Sequence, residues 1–115
     1  MFKKIFYLCA VLLLVNINAY GSQKKIAYLV SDIQIPFWSI MAKGIKSEAK
    51  KYGYEVVVLS ADNQKKRELQ NTMKAIKSKV DGIIISPISS STCSTVLSLA
   101  KRANVAVAIS DIGTD

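Results

Sequence analysis

From Lys24 onward the chain alternates short, unbroken apolar runs with longer stretches whose apolar residues return every three or four positions. Lys25–Val30 is a run of the kind that a strand buried on both faces requires. Phe37, Met41, Ile45, Ala49 and Tyr52 then recur at helical spacing with lysines opposite, predicting an amphipathic helix. Pro36 suits its first turn and Gly53 its end. Val56–Leu59 predicts a second buried strand, and Asp62 or Asn63 is expected to cap the next helix. That helix would turn Leu69, Met73, Ile76 and Val80 inward. Asp81-Gly82 leads into Ile83–Ile85, a third strand stopped by Ser86-Pro87. Ser89–Thr92 reads as loop and helix start, and Val96, Leu97, Ala100 and Ala103 carry the third helix. Asn104 breaks it before Val105–Ile109, strand four.

This alternation predicts an α/β fold, a three-layer parallel sheet with helices on both faces. Right-handed crossovers favour strand order 2-1-3-4. The units return about every thirty residues without a shared side-chain signature, which fits successive βα units and not a solenoid.

The start of the chain has a different pattern. Met1-Phe2-Lys3-Lys4 is a short basic opening, and Ile5–Val15 is an apolar run of 11 residues followed by polar Asn16-Ile17-Asn18-Ala19. This is the layout of a cleavable signal peptide over residues 1–19, with Ala19 the expected cleavage point and Gly21 the second choice. A retained membrane anchor is the competing reading, although the run is short for a bilayer. A lipoprotein reading through Cys9 is weaker, because the apolar segment mostly follows that cysteine. Residues 20–115 then form one domain, and the mature chain is expected in the periplasm and not embedded in the membrane.

Removing Lys3 and Lys4 takes the net charge from +8 to +6, with 14 basic against 8 acidic side chains. The lysines are spread along predicted helix faces, as solvated surfaces require, and export removes access to nucleic-acid partners. Only Cys93 remains outside the signal, so an internal disulfide is impossible, and with no histidine to activate it the thiol reads as a packing residue. The absence of histidine excludes Ser-His-Asp triads and most metal centres. Ser31-Asp32-Ile33-Gln34-Ile35-Pro36 is neither a dinucleotide fingerprint nor a phosphate loop. No enzyme and no cofactor is expected.

In a parallel sheet, ligands sit beyond the carboxyl ends of the strands, where Ser31–Trp38, Ser60–Asn63, Ser86–Thr92 and Ser110–Thr114 would meet. Phe37 and Trp38 offer flat apolar faces to a small ring. Asp111 offers an acceptor-only carboxylate to hydroxyl groups, and Asp32 and Gln34 flank the aromatics with further polar contacts. Ser89–Thr92 could offer hydroxyls and helix N-terminal N–H groups to an anionic or hydroxylated ligand. These residues suit holding a small solute more than transforming one.

The pieces in this order resemble the amino-terminal lobe of the type 1 periplasmic binding proteins, the ribose/galactose-type receptors that share a core with LacI-type repressors. The marks are Ile26–Ser31 leading into Pro36-Phe37-Trp38, Gly44 and Glu48, Tyr52-Gly53-Tyr54 before Val56–Val58, Asp81–Pro87, and Asn104–Val107 closing on Asp111. The resemblance implies a two-lobed receptor that closes on a sugar or sugar-like solute. Such a receptor hands its solute to an ABC permease or reports it to a chemoreceptor or sensor kinase. By the same resemblance Phe37 and Trp38 match paired aromatics that sandwich a sugar ring, and Asp111 matches a sugar-binding aspartate. Ile35 stands where ribose-type members carry asparagine and Ile112 where arginine is frequent, which points to a less hydroxylated or signalling ligand. The resemblance covers residues 24–115, a first lobe. The expectation is therefore a truncated product or gene fragment that binds little on its own.

Overall fold

The computed structural model describes residues 24–111; the predicted signal segment lies outside them. Strand β1 (Lys24–Val30), helix α1 (Pro36–Lys51), β2 (Tyr54–Ser60), α2 (Lys65–Lys77), β3 (Gly82–Ser86), α3 (Ser90–Arg102) and β4 (Ala106–Ile109) follow one another in strict alternation. The strands form one parallel sheet in the order β2-β1-β3-β4, as the crossover argument requires.

Register sorts the side chains onto two faces. Tyr28 pairs with Val58 and Ile84, and Val30 with Ser60 and Ser86, so these residues share the face that α1 covers. Ala27 and Leu29 share the other face with Ile83 and Ile85, packed beneath α2 and α3 by Ala75, Cys93, Val96 and Ala100. Two helices thus cover one face and α1 alone the other. Among the described residues, Ala106 and Ala108 of β4 remain exposed, with Ile84 beside them half-buried.

The helix boundaries follow local chemistry. Pro36 stands at the start of α1, where its missing N–H removes no helical bond. Gly53 follows its last turn at φ 78°, a left-handed conformation that glycine adopts without a Cβ penalty. Asn104, where the sequence predicted that α3 would break, takes a left-handed φ of 57°. Ser89 caps α3, its side chain accepting from the Thr92 N–H while Thr92 accepts from the Ser89 N–H.

Four expectations need correction. Asp62 and Asn63 do not cap α2; Gln64 holds that position without a side-chain bond. The two residues instead form a left-handed turn, at φ 50° and 59°. Met73 is 51 % exposed and Tyr52 69 % exposed, whereas Thr72 and Ala75 take the inward positions of α2. Leu97 likewise lies on the open side of α3, with Cys93, Val96 and Ala100 inward. In α1 and α3 small residues, Ala42 and Ala49 in one and Cys93 and Ala100 in the other, are among the most buried positions.

This layering generates a contrast in stability. Ile85→Ala, at a fully buried position, is expected to cost about 2–5 kcal/mol. Met73→Ala should change stability by no more than about 0.5 kcal/mol. Urea denaturation of the two variants checks both.

Candidate functional site

Because the strands run in one direction, the segments after them converge at one sheet edge: 31–35, 61–64, 87–89 and Ser110-Asp111. Hydrogen bonds tie these segments together. The Ser31 N–H donates to the Ser86 carbonyl at 3.0 Å, the Asn63 N–H to the Ser31 carbonyl at 2.7 Å and the Ser110 N–H to the Ile85 carbonyl at 2.9 Å. The Ile33 N–H reaches the Ser60 hydroxyl at 3.0 Å. The Ser86 hydroxyl is the hub, 2.7 Å from the buried Tyr28 phenol and also bonded to the Ser110 hydroxyl. Burial pushes the Tyr28 phenol up from its ordinary value, and the hydrogen bonds to Ser86 and Ser110 partly oppose that rise.

On this frame the candidate residues take distinct places. Phe37 is 55 % exposed in the first turn of α1. Trp38 is half-buried and packs against the core beneath α1. The two rings meet edge to face, with centroids 4.8 Å apart and planes at 81°. Phe37 therefore stays largely exposed while in contact with Trp38, which is anchored against the core. Asp32 and Gln34 share one turn, the Gln34 N–H donating to Asp32 Oδ1 at 3.0 Å. Gln34 is exposed and Asp32 half-buried. Asp111 is exposed directly after Ser110, so the Ser86–Ser110 link fixes its approach to the same edge. Ile35, which precedes α1, exposes 46 % of its surface and gives this rim an apolar position. Asp62 is engaged elsewhere, paired with the Arg67 guanidinium and accepting from the Ser60 hydroxyl.

One residue escaped sequence reasoning. Glu68, in the first turn of α2, reads as a solvated carboxylate among lysines, yet it is only 2 % exposed. Its Oε2 accepts from the Ile88 N–H at 2.9 Å, and its Oε1 has no partner among the described residues. Glu68 thereby holds the segment between β3 and α3 with a carboxylate from inside the protein. The same helix end is closed by its Ser89–Thr92 capping box. With an internal anion and an internal cap in place, the start of α3 offers little to an external anion. No local signal in the sequence marks Glu68, because its partner is 20 residues away.

Other chemistries find no support in the geometry. Burial raises the Cys93 thiol, and the Glu68 charge raises it further, which suppresses the thiolate. Among the described residues no group of three His, Cys, Asp or Glu side chains could hold a metal ion. None of the described helices is long and apolar enough to cross a membrane.

Comparison with known proteins follows the same line. A family model described as a periplasmic binding protein domain matches residues 26–114. The ribose import binding protein of Bacillus subtilis is 33 % identical over 93 residues, which cover 79 % of this chain and 30 % of that protein. The binding protein of the arabinose ABC transporter of Shewanella sp. ANA-3, solved with L-arabinofuranose, superposes with a TM-score of 0.69 at 26 % identity. That match covers 80 % of this chain and 31 % of the other. An ABC transporter solute-binding protein of Bacillus halodurans, solved with myo-inositol, shares the fold with a TM-score of 0.70 at 23 % identity. It covers 77 % of this chain and 31 % of that one. The chain thus spans about a third of the length of the curated relatives it matches. The proteins named bind solutes and are not enzymes.

Two outcomes test the frame. Glu68→Ala should lose about 2–4 kcal/mol and speed hydrogen exchange at the Ile88 amide, because a buried N–H loses its acceptor. Glu68→Gln keeps an acceptor and should stay within about 1 kcal/mol of the parent. For Tyr28, the folded protein holds the phenol proton more tightly than the unfolded chain does. Its contribution is therefore full below the unfolded tyrosine value of about 10 and is lost as pH rises through the higher folded value. Denaturation of the parent and Tyr28→Phe between neutral and strongly alkaline pH should show a shallower alkaline loss in the variant.

Proposed function

We propose that this chain, which belongs to the periplasmic binding protein domain family, forms one wall of a cleft that holds a sugar or sugar-like solute. The observation that carries this reading is the carboxyl edge, where Phe37, Gln34, Asp32 and Asp111 lie on segments fixed by the Ser86 hub. An apolar ring face backed by Trp38 stacks on the C–H face of a sugar ring, and carboxylate and amide groups accept and donate at its rim. Ile35 gives this rim an apolar position, which supports a solute with fewer hydroxyls than a simple pentose. The names of the relatives, a ribose import binding protein and the binding protein of an arabinose transporter, support the broader class of sugars.

In the full receptor a second wall would close over the solute, and the closed form would deliver it to an ABC permease in the cytoplasmic membrane. Residues 1–19 would direct export to the periplasm. The sensing alternative differs only in the partner, a chemoreceptor or sensor kinase in place of a permease. Co-purification from membranes with and without sugar separates the two.

One open wall encloses little of a solute, so the chain alone should bind with a Kd of about 1 mM or weaker. Titration of the isotopically labelled chain with ribose, L-arabinose and myo-inositol, followed by amide chemical shifts, is the test. The expected shifts map to residues 31–38 and 110–111 and disappear in Phe37→Ala. Shifts confined to other surfaces, or none with any of the three probes, overturn the reading.

A further inference from the structure

We infer that the amino edge of the sheet docks on an anionic lipid surface, with cations from the three helix ends set against lipid phosphates and Tyr52 among the headgroups. This edge lies opposite the solute rim, and the inference stands independently of that reading. Each helix returns antiparallel to the strands, so its last turn reaches the edge where the strands begin. Those last turns carry Lys50 and Lys51 in α1, Lys74 and Lys77 in α2, and Lys101 and Arg102 in α3. Lys24 and Lys25 open β1 on the same edge. All of these residues are exposed.

The attraction of cations to helix carboxyl ends accounts for a pair at each helix. It does not account for Lys24 and Lys25, nor for Lys79, which takes φ 56° just after α2. Glycine is the usual residue in that left-handed position, and Gly53 holds it after α1. Neutralisation among the described residues is slight. Glu48 pairs with Lys51, and the Asp81 carboxylate accepts from the Lys25 N–H. At the carboxyl edge, by contrast, Asp32, Asp62, Glu68 and Asp111 stand against Lys65, Lys66 and Arg67. Positive charge is therefore concentrated at one end of the sheet, where it attracts anionic headgroups.

Two observations favour a bilayer over a soluble polyanion. Tyr52 is 69 % exposed at the end of α1, and a tyrosine offers the headgroup layer both an apolar ring and a hydroxyl. In the full chain, the apolar run Ile5–Val15 leads through residues 16–23 into Lys24, on this same edge.

Co-sedimentation of the full chain with vesicles containing phosphatidylglycerol, against vesicles of phosphatidylcholine alone, tests this. Tighter binding to the anionic vesicles, weakening as salt rises, is expected. Joint Lys74→Gln, Lys77→Gln and Lys101→Gln should weaken that binding about tenfold or more. Joint Lys43→Gln, Lys46→Gln and Lys65→Gln lowers the net charge equally at exposed positions away from the edge and should weaken it no more than about threefold. The apolar run, Lys3 and Lys4 are common to every variant, so the comparison reads the edge alone. Tyr52→Ser should reduce the binding that persists at high salt, with unchanged circular dichroism. Equal losses in the two triple variants, or equal binding to both vesicle types, overturns the inference. So does retention of dextran sulfate without binding to anionic vesicles, which assigns the edge to a soluble polyanion.

Discussion

The end of β3 is the point on which the site frame depends. The Ser86 carbonyl receives the N–H that follows β1, and its hydroxyl joins the Tyr28 phenol to the Ser110 hydroxyl beyond β4. One small residue thereby links three of the four strands where they leave the sheet. A larger apolar side chain there would strand the buried Tyr28 hydroxyl, and a buried polar group without a partner costs more than the bond it replaces. The register of the sheet makes this convergence possible, because Val30 and Ser86 are paired and their side chains share the α1 face.

The opposite face serves the same edge by a different route. Glu68 reaches from α2 to the Ile88 N–H, so the helix layer and the segment after β3 hold one another in place. A carboxylate in such a position is tolerable because it lies beside a helix start, where backbone N–H groups favour negative charge. Its Oε1 is the one buried side-chain nitrogen or oxygen without a hydrogen-bond partner among the described residues. The elements that bury apolar area and the elements that present polar groups are therefore coupled through a small number of side chains.

The sequence made the strands legible because each is an apolar run too short for a helix, and Gly53 and Asn104 legible because left-handed stops favour those residue types. The convergence of the loops at the carboxyl edge followed from the same signals, since strand direction determines which segments share an edge. Propensity misled at Asp62 and Asn63. Asp62 is held by Arg67 and Ser60, and both residues take left-handed backbone conformations in place of the extended one a cap needs, so neither caps α2. Met73 and Thr72 differ by one position on the same turn, a rotation that hydrophobic spacing does not resolve. Glu68 depends on a contact between distant segments and leaves no local trace, and which of the two adjacent rings stays uncovered depends on how α1 packs on the sheet.

The stitching of residues 31, 63, 86 and 110 has a further consequence. Backbone freedom at this rim is already surrendered when the chain folds, so in the proposed receptor a guest molecule would meet a surface whose shape does not wait for it. Discrimination on this side would then work by fit against a stiff template, and adaptation would fall to the opposing wall.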